Sequence, residues 1–269
     1  MTNIDSEDYL RGELFAKIGD SVPHAIYCKM DYAPDFLMRF APTIQRPFVL
    51  VTHNSDYPLN EALVSLTRRS PNLKKWYGQN VECAPNDLVR SIPIGLENDS
   101  VFPHLTKRSR LTNAIKGVGG IEPSKLVYMN YSFYTRRDER VAARQAVIRN
   151  CPPSVYTDRC VESIDQTQFG DWLEDVASHH YVLCPRGNGI DTHRMWETLY
   201  MGRIPIVKRD SNNRYYEQLP ILYVNDWSEI NHDLLTESLP RLRDRSNFNM
   251  QMLSFAWWRD QIANPENLK

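Results

Sequence analysis

The sequence predicts an α/β protein made of two Rossmann-like domains with a cleft between them. Two observations predict it. Short, apolar, β-branched runs alternate with helical stretches. The alternation stops near residue 116 and restarts after Lys116-Gly117-Val118-Gly119-Gly120, the most glycine-dense stretch of the chain. The domains expected are therefore 1–116 and 117–269.

In the first half a polar helical stretch precedes Pro47-Phe48-Val49-Leu50-Val51-Thr52, a run typical of a buried parallel strand. It breaks at His53-Asn54-Ser55-Asp56, a cluster of turn-forming and capping residues. Residues 59–69 have helical character and stop at Ser70-Pro71-Asn72. Residues 74–80 and 89–96 read as two further strand-and-loop units. The glycine stretch follows a basic segment and leads to a proline and a strand rather than a helix. A hinge or surface turn is expected there, not a phosphate cradle.

The second half repeats the pattern. Strands are expected over 125–130, 154–157, 181–185, 204–207 and 221–224, and helices over 136–149, 166–178 and 192–201. Such a succession predicts a doubly wound, mostly parallel sheet. A C-terminal helix around Trp257-Trp258 is expected to pack back on the core and the N-terminal domain.

Composition narrows the function. Thirty-two Lys and Arg balance 33 Asp and Glu, a net charge of −1, which argues against a nucleic-acid partner. No apolar run reaches about 18 residues, so no membrane span is expected. The acidic opening Met-Thr-Asn-Ile-Asp-Ser-Glu-Asp does not resemble a signal peptide. Five scattered cysteines with no close pair suit a reduced, cytoplasmic protein. His179-His180 has no nearby cysteine or carboxylate to complete a metal set, and Asp-x-Asp is absent, so neither a metal nor another cofactor is expected. The sequons Asn98-Asp99-Ser100 and Asn130-Tyr131-Ser132 are of a kind frequent by chance. Six Trp, 14 Tyr and nine Phe are compatible with a sugar-like ligand, or simply with the core.

The chemistry concentrates in Leu183-Cys184-Pro185-Arg186-Gly187-Asn188-Gly189-Ile190-Asp191-Thr192-His193-Arg194-Met195-Trp196-Glu197. A buried strand ends at Pro185. Gly187-Asn188-Gly189 can adopt positive φ and present backbone N–H groups. Asp191 or Thr192 caps a helix whose positive end faces the same crevice, and Arg186 and Arg194 flank it. Amides, a helix N-terminus and two guanidiniums suit a diphosphate. Glu197, one turn beyond Arg194, could accept bonds from two ribose hydroxyls; the alternative is an intrahelical Arg194–Glu197 ion pair.

Pro185-Arg186-Gly187, then Arg194 and Glu197-Thr198-Leu199-Tyr200-Met201-Gly202-Arg203-Ile204-Pro205-Ile206, resembles the donor-binding signature of exostosin-like glycosyltransferases of the GT-B type. Val51-Thr52-His53-Asn54-Ser55-Asp56 and Ile92-Pro93-Ile94-Gly95 resemble stretches of short, soluble members from large algal viruses. The chain is short for that architecture, which implies a pared-down N-terminal domain.

The resemblance implies an inverting, metal-independent transferase that moves a sugar from a UDP-sugar, xylose preferred, to a hydroxyl of a glycan acceptor. Glu197 would hold the ribose. Arg186 and Arg194 would neutralise the diphosphate, with the Gly187-Asn188-Gly189 loop and the Thr192-His193 helix start beside them. Ser132, Arg136 and Arg137 could complete the clamp from the first strand of the second half, although a solvated helix start is an equal reading of the two arginines. The general base should follow a strand of the first half. Asp56 is the first choice, His53 the second and Glu97 the third; the alternative for Asp56 is a helix N-cap before Pro58-Leu59-Asn60. The rival functions are a GDP-fucose-type fucosyltransferase and a catalytically inactive nucleotide- or sugar-binding module.

Overall fold

The computed structural model describes residues 4–99, 107–118, 121–162 and 169–265. It is a mixed α/β structure in which every pairing between named strands is parallel. Strands β1 (Ala25–Lys29), β2 (Phe48–His53), β3 (Leu59–Asn60), β4 (Leu73–Gly78), β5 (Val81–Glu82) and β6 (Val89–Ser91) belong to the first half. The second supplies β7 (Lys125–Met129), β8 (Tyr156–Asp158), β9 (His179–Leu183), β10 (Ile204–Lys208) and β11 (Leu222–Val224). The sheets are ordered β1-β2-β4-β6 and β11-β10-β9-β7-β8, and β3 pairs with β5 in a small third.

Helices α1 (Gly12–Ala16), α2 (Ile18–Ser21), α3 (Ala33–Asp35) and α4 (Glu61–Leu66) flank the first sheet in sequence. Then come α5 (Lys107–Val118), α6 (Arg137–Asn150), α7 (Phe169–Ala177), α8 (His193–Tyr200), α9 (His232–Arg243) and α10 (Phe255–Ala263).

Period-two alternation explains how the sheets are covered on both faces. Val49 and Val51 of β2 enter one core cluster, whereas Phe48 and Leu50 face another with Leu37 and Trp76. In the second sheet Tyr128 and Val182 share the cluster of Val49 and Val51, while Val127, Tyr181 and Ile206 face a third. The two sheets are thus welded by one common core. Trp196, Tyr216 and Trp258 fill it, with ring centroids 4.9 and 6.3 Å apart in edge-to-face contacts. Ser91 Oγ joins Tyr216 Oη at 2.7 Å and donates to Asn212 Oδ1, which also accepts from Val81 N–H. The C-terminal α10 lies against the first half. Tyr77 Oη donates to the Gln261 carbonyl, and Phe255 packs edge-on against Phe15.

Three expectations are corrected. The opening stretch, read as helical, contains β1, an edge strand whose half-exposed Ile26, Tyr27 and Cys28 blunt the apolar signal. Lys116-Gly117-Val118 closes α5 rather than forming a turn, because Leu111 anchors that helix in the shared core. Pro153–Val155 is a 3-10 turn, so β8 starts only at Tyr156. Residues 119–120, 163–168 and Ser100, which belong to the glycine stretch, the expected 166–178 helix and a sequon, lie outside the described residues.

Candidate active site

In chain order the five strands of the second sheet run 2-1-3-4-5 across it, so connections from β7 and β9 leave in opposite directions. This switch point opens a crevice beyond the carboxyl ends of β7 and β9, where open α/β sheets bind ligands. Asn130-Tyr131-Ser132 leaves β7 there, and Cys184–Gly189 leaves β9.

The Gly187-Asn188-Gly189 loop is not left-handed, because positive-φ glycines among the described residues are Gly95 and Gly202. Its glycines are needed for close approach. A Cβ on Gly189 would come within 2.9 Å of the Asn80 side chain, and one on Gly187 within 3.3 Å of Arg140 Nη2. Thr192 stands at the N-cap of α8 but makes no side-chain cap bond. Asp191 caps no N–H of the first turn of α8 either; its carboxylate accepts from Thr192 N–H, the Trp196 indole and Ile94 N–H, and so ties the helix start to the first half. Burial pushes this carboxyl up to about 7 against those bonds.

Two guanidiniums, of Arg140 and Arg194, stand close enough for their charges to oppose each other, and Arg186 follows β9 beside them. Arg194, in the first turn of α8, stacks 5.8 Å above the Trp172 ring, and its buried Nη1 has no hydrogen-bond partner among the described residues. Arg186 is tied through Nη2 to Glu82 of β5 at 3.0 Å, while its Nε is buried without a partner among the described residues. Arg140 of α6 is the residue that sequence reasoning missed. It donates to the Ser132 and Arg186 carbonyls and lies 5.8 Å over the Tyr131 ring. Burial first, and the Arg194 charge second, lower its pKa. Its signal was present: Arg140 lies three residues before buried Ala143, on the inward stripe of α6. Arg137 instead forms an exposed ion pair with Glu162, and Arg136 is exposed in a left-handed conformation at the N-cap. Ser132 offers its carbonyl to Arg140, and its hydroxyl accepts from Tyr134 N–H.

Glu197 is 7% exposed, yet its carboxylate makes no hydrogen bond or ion pair with the described residues. The intrahelical Arg194–Glu197 pair is therefore not formed. Buried N–H groups without partners, such as Arg186 Nε and Arg194 Nη1, are costly unless a ligand satisfies them.

A pocket of about 670 Å³ adjoins this crevice between the halves, walled by the loops after β2 and β6 and by Asn188 and His193. His53 is 2% exposed, and both its ring nitrogens are engaged. Nδ1 accepts from Asn54 N–H, so Nε2 carries the proton donated to the Pro93 carbonyl. Burial lowers its pKa to about 4. No lone pair is left to act as a base, and His53 is a structural residue. Asp56 is exposed on the pocket wall and bonds none of the described residues; the N-cap of α4 is Asn60, not Asp56. Glu97 stands 3.6 Å from His193 Nε2, and His193 Nδ1–H donates to the Gly95 carbonyl. Glu97 of the first half thus touches the first turn of α8, next to Arg194.

No helix among the described residues is long and apolar enough to cross a membrane. No family model matches the chain, and no curated protein matches it. Among solved structures, Anabaena Alr3699/HepE in complex with UDP-glucose aligns with 94% of this chain and 81% of its own, at 12% identity and a TM-score of 0.49. The complex of the same protein with UDP and glucose aligns with 96% of this chain and 82% of its own, at 12% identity and a TM-score of 0.47.

Proposed function

We propose that the chain is an inverting, metal-independent glycosyltransferase that moves a sugar from a UDP-sugar to a hydroxyl of a glycan acceptor. One observation carries the reading. At the switch point the Arg140 and Arg194 charges oppose each other, Arg186 Nε and Arg194 Nη1 are buried without a partner among the described residues, and Glu197, one turn along α8, bonds none of the described residues. Repelling cations that hold unsatisfied donors suit a diphosphate, and a lone carboxylate suits vicinal hydroxyls.

The pocket beside Asn188 and His193 holds the acceptor. Glu97, which reaches α8, takes the proton of the acceptor hydroxyl as that oxygen bonds to the anomeric carbon. The bond from that carbon to the diphosphate oxygen breaks, and its electron pair leaves with UDP. Attack opposite the leaving group inverts the anomeric centre. Arg140 and Arg194 meet the charge that builds on the diphosphate, so they act mainly in the transition state. Xylose is the preferred sugar through the family resemblance.

Calorimetric titration with UDP and GDP, each with and without a chelator, tests the reading. Chelator-insensitive UDP binding that disappears in Glu197→Ala is expected, followed by transfer from UDP-xylose. Preference for GDP would point to a fucosyltransferase. Nucleotide binding with no transfer to any acceptor would point to a binding module, and no nucleotide binding would overturn the reading.

A further inference from the structure

We infer that the sugar entering the pocket between the halves bears no acid group: the acceptor terminus is a neutral or amino-bearing sugar. The inference rests on the transferase reading above and deepens it.

The pocket wall carries three carboxylates, Asp31, Asp56 and Glu97, against one ammonium, Lys29, and two imidazoles, His53 and His193. The ammonium already faces an acid, Lys29 Nζ lying 3.2 Å from Asp31, His193 Nε2 lies 3.6 Å from Glu97, and both His53 nitrogens are engaged with the backbone. A uronate or phosphate on the acceptor would find no unpaired cation on this wall, and Asp56 would repel it. An uncharged pyranose meets hydroxyl and amide partners instead, and the Tyr57 ring, 63% exposed at the wall, offers a face to its C–H surface. An amino group would gain Asp56, which bonds none of the described residues.

Charge is therefore segregated between the two sites. Guanidiniums gather in the donor crevice and carboxylates on the acceptor wall, so a diphosphate is drawn to one and turned away from the other. Such unlike fields give discrimination by repulsion as much as by attraction.

Saturation-transfer NMR on the whole chain at saturating UDP reads acceptor binding without requiring turnover. The probes are methyl glycosides of glucose and galactose, the matching uronic acids, and glucosamine. Neutral and amino sugars are expected to bind at least about tenfold more tightly than the uronides, which is ~1.4 kcal/mol. In Asp31→Asn, which releases Lys29, that ratio should shrink severalfold. Uronides binding as well as or better than the neutral sugars would overturn the inference. So would an unchanged ratio in Asp31→Asn, or no binding by any probe. Calorimetry with UDP on the same protein separates the two failures. A chain that binds UDP yet prefers uronides overturns the acceptor class alone, whereas one that binds no nucleotide overturns the transferase reading and this inference with it.

Discussion

Arg186 of the loop after β9 is held by Glu82 of β5, Nη2 to Oε1 at 3.0 Å, across 104 residues of sequence. The partner carboxylate sits on the first half, while the guanidinium faces the crevice of the second. Glu82 therefore competes with any diphosphate for Arg186. Glu82→Gln should tighten UDP binding by about threefold to tenfold, since a partly exposed pair is worth only ~1 kcal/mol. Calorimetry at low and high salt checks this, and weaker UDP binding in the variant would show that Glu82 positions Arg186 instead.

Arg140 and Arg137 stand one turn apart on α6 but face different surroundings. Arg140→Met should lower kcat/KM by about 10²–10³, as expected for losing a charge-stabilising donor in a water-poor site. Arg137→Ala, which removes only the exposed pair with Glu162, should change it less than about twofold. Equal effects of the two substitutions would be incompatible with the crevice described.

Glu97 and Asp56 are separated by kinetics. Glu97→Gln should lower kcat by about 10² or more while leaving UDP affinity within twofold, the signature of a lost general base. Asp56→Asn should raise the acceptor KM with a smaller effect on kcat. The reverse pattern would move the base to Asp56.

His53 makes stability depend on pH. Its pKa falls from 6.5 to about 4 on folding because burial penalises the imidazolium. The unfolded chain therefore binds the extra proton between those values, so stability is fully present above pH 6.5 and is lost as pH falls toward 4. The contribution amounts to about 3 kcal/mol. Asp191, raised to about 7, acts in the opposite sense over the same window, so the total curve is flattened. The informative quantity is the difference between wild type and His53→Gln in urea unfolding at pH 7 and pH 5. Wild type should lose more stability than the variant on acidification, and parallel losses would refute the assignment.

Much of the crevice at the switch point was legible because its parts are contiguous in the chain. Strand, glycine loop, cap and first helical turn occupy residues 183–197, and each is written in local chemistry. The base was harder to find. His53, Asp56 and Glu97 all follow strands, and nothing in the sequence tells that His53 lends both nitrogens to the backbone or that Glu97 meets His193. Arg140 was passed over for Arg136 and Arg137 because proximity to the strand end was weighed above the inward stripe of α6. The loop glycines were assigned to positive φ, whereas their reason is the nearness of Asn80 and Arg140, side chains 47 or more positions away.

By itself the sequence determined the alternation of strands and helices, the two series in which they occur, and the segment where charge and glycine gather. Those features follow from side-chain period and backbone propensity, which act over a few residues. Only the tertiary structure decided that the two sheets share one core around Trp196, Tyr216 and Trp258, and that Glu82 ties Arg186 Nη2 while Arg186 Nε and Arg194 Nη1 keep donors without partners among the described residues. It also decided that the wall of the pocket between the halves carries Asp31, Asp56 and Glu97. Each of these depends on groups brought together from distant positions, where burial and charge set the energy and no local pattern records the partner.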